Sequence, residues 1–193
     1  MFRANLYDLF NDAIHAVRLQ YRPRAEMYAY GLPVFAIVML AVGVSIATSP
    51  AYLALFGSSS AAFGFAIVMG ITRWLVLTRA LTSMVQHASG ERIPFLGYTL
   101  ATEALAIPSL LILPFPDLLP LISLWMVWCF WAQIAGVAVL SRQPILRICM
   151  AYVIYWLASS LLLGLFMTLF VAEGWLDSAE ILKNLETYMQ QAK

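Results

Sequence analysis

The chain has 193 residues, of which 63% are apolar and 11% charged, with a mean hydropathy of +0.84. Average soluble proteins are about 25% charged, so this composition excludes a globule kept in solution by its own polar surface. The formal net charge of +1 comes with no basic stripe of the kind that nucleic acid requires, and the length suits one membrane domain with no soluble module attached.

In residues 1–26, Phe2, Leu6, Leu9, Phe10, Ala13, Ile14, Val17 and Tyr21 recur at three- and four-residue spacing. Arg3, Asp8, Asn11, Asp12 and Arg18 mostly take the remaining face. This pattern predicts a cytoplasmic amphipathic helix lying in the membrane interface, followed by Arg22-Pro23-Arg24 near anionic headgroups, or else a docking helix for a partner. No apolar run precedes Gly31, so no cleavable signal peptide is expected.

Residues 27–72 contain no Asp, Glu, Lys, Arg or His. A hydrocarbon core about 30 Å thick needs about 20 apolar residues per helical crossing. On that basis residues 27–172 are expected to form a five-span, all-α transmembrane bundle, with spans at 31–48, 61–81, 95–113, 121–140 and 145–172. Ser49-Pro50 ends the first span, and 51–56 is too short to cross. A polar connector at 82–94 follows the second. Pro114, Pro116 and Pro120 around Asp117 force a tight turn after the third, because proline cannot continue the helical hydrogen-bond ladder. Residues 173–193 are expected to form a second amphipathic helix, capped by Asp177 or Ser178, with Ile181, Leu182, Leu185, Tyr188 and Met189 along one stripe.

The arginines fix an expected orientation. Arg3, Arg18, Arg22 and Arg24 precede the first span, Arg79 and Arg92 flank the second connector, and Arg142 and Arg147 flank the fourth. The first and third connectors carry no Lys or Arg. The positive-inside rule then places the amino terminus and connectors two and four in the cytoplasm, and the carboxyl tail outside.

Charged residues inside a span cost at least about 2.5–3.5 kcal/mol each on insertion scales, which singles out Arg73 and Glu103. With the second span ending at residue 81 and the third starting at 95, each lies about 12 Å from the cytoplasmic side at 1.5 Å per residue. They are expected to pair, as a register-fixing contact or as a substrate, ion or proton site. Gln133 is a candidate for interhelical hydrogen bonding. Pro108 should free the carbonyl of Ala104 and bend the third span. Trp125, Trp128 and Trp131 form a stripe, read first as packing or lipid contact. Gly43/Ala47, Ala132/Gly136 and Ser160/Gly164 mark candidate close helix contacts, and Cys129 and Cys149 read as small buried hydrophobes. No metal or cofactor is expected. There is no HExxH, GxSxG, P-loop or GxGxxG, and His15 and His87 fall in the expected cytoplasmic segments.

Gly90-Glu91-Arg92-Ile93-Pro94-Phe95-Leu96-Gly97-Tyr98, with Pro108 downstream, resembles the YIP1 family of five-span membrane proteins. So does the fourth span closing on Ser141-Arg142-Gln143-Pro144, which is similar to bacterial members. The resemblance covers about residues 15–172 and implies a cytoplasmic amino terminus and five close-spaced spans, with Gly97, Tyr98 and Pro108 as the family-like positions. The Asp-Leu-x-Gly-Pro stretch of eukaryotic members is absent before the first span, so their small-GTPase partner is not carried over. The expectation is a non-enzymatic multi-pass protein of the bacterial inner membrane, acting by packing with itself or with other membrane subunits. The alternative is a small-solute or ion transporter, or a lipid-handling protein, using Arg73 and Glu103.

Overall fold

A chain removed from water must satisfy its backbone N–H and C=O groups within each segment, and a helix does this without a partner strand. The computed structural model describes residues 6–112, 115 and 118–191, and every regular element among them is helical. In order these are α1 (Leu6–Val17), a 3-10 turn (Ala25–Met27), α2 (Leu32–Ala47), α3 (Pro50–Phe56), α4 (Ser60–Ser89), α5 (Leu96–Glu103), a second 3-10 turn (Ala104–Ala106), α6 (Ile107–Ile112), α7 (Leu119–Ser141), α8 (Ile145–Ala172) and α9 (Ser178–Gln191). Pro114, Pro116, Asp117 and Lys193 lie outside the described residues, as do the first five.

Helices α4, α7 and α8 are long and apolar enough to cross a membrane, and α2 with α3 makes a fourth candidate if that pair is one span bent by 71°. The 16 residues of α2 reach only about 24 Å at 1.5 Å per residue, short of the hydrocarbon thickness. The bend falls at Ser49-Pro50, where proline starts a new helix at its first position. The segment expected as a third span is not one helix. Pro108 lacks the N–H that would bond the Ala104 carbonyl, and the chain tightens into the Ala104–Ala106 turn between α5 and α6.

Helix α4 runs past the expected end at residue 81. Nothing between Thr82 and Ser89 breaks a helix, and Leu81 and Val85 stay fully buried beside Phe95 and Tyr98. Gly90 stops it in the left-handed conformation at φ 72°, its N–H bonded to the Gln86 carbonyl at 2.8 Å. The start is capped by Ser59, whose hydroxyl accepts from the Ala62 N–H at 3.1 Å. Arg73 therefore stands near the middle of a 30-residue helix.

Helix α2 lies along α4, and α4 lies along α8. At the first contact an added Cβ on Gly43 would come within 2.9 Å of the Ile67 backbone, so this small-residue pair does mark a close approach. The Ser160/Gly164 pair does not: Ser160 is exposed and Gly164 has open space around its Cα.

The two terminal helices dock on the bundle. The apolar pattern of α1 divides: Leu9, Ala13 and Ala16 are buried, while Tyr7, Phe10 and Ile14 are exposed. Its buried face packs on α5, the following 3-10 turn and α7, so protein rather than lipid covers this half of the pattern. Asp12 is on that buried face, not on the polar one. Leu19 ends α1 in a left-handed conformation at φ 57°, with Gln20 N–H closing onto the His15 carbonyl at 2.9 Å. At the other end Asp177 caps α9 through the Ala179 N–H at 2.8 Å. There α9 packs on α3, with Ile181 buried and the Asn184 amide donating to the Leu55 carbonyl at 3.2 Å. Leu182 and Leu185 are exposed, and the side chains of Tyr188 and Met189 lie outside the described set.

Candidate functional site

Gly97 and Tyr98 form a packing centre. An added Cβ at Gly97 would fall 1.6 Å from the Tyr28 carbonyl oxygen, so only glycine lets the 25–31 segment lie on α5. Tyr98 is fully buried, edge-on to Tyr28 and Tyr21 with ring centroids 5.2 and 6.2 Å away. Its hydroxyl reaches the Ala132 and Gln133 carbonyls at 3.1 and 3.2 Å. Gly136 makes room, since a Cβ there would sit 1.9 Å from that hydroxyl. Tyr21 donates to the same Ala132 carbonyl at 3.1 Å. The Ala132/Gly136 pair thus receives two tyrosines rather than a helix ridge.

Gln133 is nearly buried and fully engaged. Its amide nitrogen donates to the Thr102 hydroxyl at 2.6 Å, and its carbonyl accepts from Tyr152 at 2.6 Å. This ties α7 to α5 and α8, as expected of an intramembrane amide. Two of the three tryptophans also act as fasteners: Trp125 donates to the Leu105 carbonyl at 2.9 Å and Trp128 to Val17 at 3.0 Å. The first of these satisfies a carbonyl of the tightened turn before Pro108. Trp131 remains exposed, and Trp74 is buried against Phe35, their ring centroids 5.0 Å apart. Cys129 and Cys149 are free thiols.

Beside Gln133 lies a cavity of about 390 Å³ lined by Val42, Ser45, Ile46, Ser49, Gly70, Arg73, Glu103, Ala106, Ile122, Met126 and Tyr155. A deeper recess of about 220 Å³ shares Arg73, Glu103, Ala106, Met126 and Tyr155, and continues to Thr102, Gln133 and Tyr152. The structure brings Arg73 and Glu103 to one space but does not close them into an ion pair within 4 Å; the Arg22–Asp12 bridge is the ion pair found among the described residues. Instead the Arg73 Nε donates to the Tyr155 hydroxyl at 3.1 Å, while Glu103 lines both the cavity and the recess. Among the described residues the terminal guanidinium nitrogens of Arg73 make no hydrogen bond, and Arg73 lines both the cavity and the recess.

A second polar cluster holds α1. Asp12, only 3% exposed, accepts from Arg22 Nε at 2.7 Å and from the Tyr30 hydroxyl at 2.5 Å. Arg22 also donates to the Met27 carbonyl at 2.9 Å and sits over the Tyr28 ring. Burial works against the charge of Arg22, but the hydrogen bond and attraction of Asp12 more than offset it, holding the guanidinium above its ordinary value. Burial, then the bond to Asp12, pushes the Tyr30 hydroxyl far above the usual phenol range. Burial and Tyr28 raise Tyr21 to about 12.

Tyr155, Tyr152, Thr102 and Asp12 are not among the residues singled out from the sequence. Three of them carry a signal in the sequence. Tyr152 and Tyr155 are polar-tipped residues one helical turn apart within an apolar span, and Asp12 sits at i+3 from Leu9 and i−4 from Ala16, on the face those residues bury. Among the described residues no group of three or more His, Cys, Asp or Glu side chains is placed to hold a metal ion. Arg79 is exposed and, with Ser83 and His87, lines an outer groove of about 510 Å³ between α4 and α8. No family model matches the chain, and neither does any curated protein or solved structure.

Proposed function

We propose that this is a non-enzymatic, five-span protein of a bacterial inner membrane, with a cytoplasmic amino terminus, that holds a small polar ligand in the Arg73–Glu103 cavity as a solute carrier or lipid-handling protein would. The observation that carries this reading is the unclosed pair. A charge at mid-bilayer costs at least about 2.5–3.5 kcal/mol, and direct contact is the simplest way for two opposite charges to offset that cost. Here both face a shared cavity of about 390 Å³, within the size range of small-molecule sites. Water or a ligand between them supplies the missing interactions.

The five-span reading counts α2, α4, the α5–α6 segment, α7 and α8. It is supported by the arginine distribution and by the docking of α9 on α3, which puts the carboxyl tail at the same end as the first connector. A second reading is supported by the likeness to the YIP1 family and by the burial of Gly97-Tyr98 at the packing centre: a protein acting through helix packing with a second copy or another membrane subunit. The outer faces of α7 and α8, with Leu124, Trp128, Leu146, Trp156 and Leu161 exposed, offer surface for that.

The test is hydration of the cavity. With Cys129 and Cys149 replaced by serine, Met126→Cys in membrane vesicles should react with a charged, water-soluble thiol reagent, while Val127→Cys on the exposed apolar side should not. Equal resistance of both cysteines would remove the ligand-site reading and leave the packing one.

A further inference from the structure

We infer that the occupant of this cavity is a zwitterion, a small group bearing one anion and one cation, with its anion on Arg73 and Tyr155 and its cation on Glu103. The inference rests on the reading of the cavity as a ligand site and adds the chemical class. Its basis is the pairing of two opposite charges that share a space without neutralising each other. Arg73 spends only Nε on the protein, at 3.1 Å from the Tyr155 hydroxyl. That contact uses Tyr155 as acceptor, so its own O–H is left to donate toward the same side. The free terminal nitrogens of Arg73 offer the planar fork that binds carboxylate or phosphate by two parallel hydrogen bonds.

Glu103 supplies the opposite pole. It shares the inner recess with Gln133, whose amide is held in place by Thr102 and Tyr152, so the surroundings of the carboxylate are fixed by three helices. A simple anion would satisfy Arg73 and leave Glu103 repelling it. A simple cation would do the reverse. A neutral ligand would leave both charges desolvated, which is expensive in a low-dielectric interior. A dipolar ligand of zero net charge alone answers both poles and leaves the cavity's total charge unchanged. The remaining wall, Val42, Ile46, Ile122 and Met126, is apolar and suits the short carbon linker between such groups. Free amino-acid-like solutes and the headgroup of phosphatidylethanolamine share this chemistry.

The experiment uses the full chain in nanodiscs of phosphatidylglycerol, with ligand binding read by calorimetry. Betaine and glycerophosphoethanolamine are compared with acetate, tetramethylammonium and glycerol. The zwitterions should bind, and each single-charge or neutral probe should bind about tenfold or more weakly, a difference of about 1.4 kcal/mol. This comparison needs no mutant, so a misfolded variant cannot blur it. Glu103→Gln should then weaken the zwitterions about tenfold while sparing or improving acetate. If acetate binds as well as betaine and Glu103→Gln changes nothing, the zwitterion class is wrong and the ligand site stands. If no probe binds and the Met126→Cys cavity stays unlabelled, both readings fall. Repeating the titration in discs containing phosphatidylethanolamine separates the sources: loss of soluble binding identifies the lipid headgroup as occupant, and unchanged binding identifies a free solute.

Discussion

At the scale of single residues, the contrast between two glycines measures how tightly the bundle is closed. A methyl at Gly97 would lie 1.6 Å from the Tyr28 carbonyl oxygen, whereas one at Gly164 meets nothing within 4 Å. Because the obstacle at Gly97 is backbone, Gly97→Ala cannot be relieved by a rotamer change. It should cost at least the about 1–3 kcal/mol of an overpacked core. Gly164→Ala should be neutral or stabilising by up to about 1 kcal/mol through helix propensity. Folded fraction after heating in detergent, followed by size exclusion, separates the two. Equal losses would show that the 25–31 segment does not rest on α5. Gly97-Tyr98 was legible as a motif before its role was known. That role depends on the Tyr28 carbonyl, 69 positions earlier in the chain than Gly97 and carried on a separate segment. Asp12 was misread because a carboxylate in an amphipathic pattern is ordinarily solvated, and its partners Arg22 and Tyr30 come from beyond the helix.

At the scale of elements, the amino-terminal helix shows what periodicity can and cannot give. Spacing located α1, but a helix with apolar residues on more than one side does not say which side meets protein. The structure assigns Leu9, Ala13 and Ala16 to protein and leaves Tyr7, Phe10 and Ile14 open. The Asp12–Arg22–Tyr30 cluster holds that choice. Arg22→Gln removes a charged hydrogen bond from a buried carboxylate and should cost about 1.5–3 kcal/mol. The loss should be local, read as faster amide exchange in α1 with α4 and α8 unchanged. Uniform acceleration across all helices would mean that α1 is part of one cooperative unit. Breaks were easier to read than faces. Ser49-Pro50 and Pro108 interrupt helices through the missing N–H of proline, a purely local effect, whereas the extension of α4 to Ser89 depends on Leu81 and Val85 finding Phe95 and Tyr98.

At the scale of the whole molecule, the proposed topology puts the first connector and the carboxyl tail on one side, and the second connector on the other. Cysteines at Ser59 and Asp177, introduced singly into a cysteine-free background, should be labelled from the extracytoplasmic side, and one at Gly90 only from the cytoplasm. Ser59 and Asp177 line the same surface hollow, so a split between them would contradict the fold itself. Gly90 labelled from the same side as Ser59 would mean that α4, which joins them, does not cross, and would overturn the five-span reading.

The tyrosine cluster around Tyr98 has a consequence for traffic through the molecule. The cavity extends from the end of α2 and the start of α7, at Ser49 and Ile122, down to Gln133. On the backbone of Gln133 the tyrosine cluster begins: Tyr98 hydrogen-bonds to the Gln133 carbonyl, and Tyr21 and Tyr28 pack edge-on against Tyr98. If the cavity holds a ligand as proposed, the tyrosine cluster stands across the path beyond Gln133, and the bound solute would exchange with one compartment. Under that reading, passage to the other side would require Tyr98 to leave its two carbonyls and α1 to loosen.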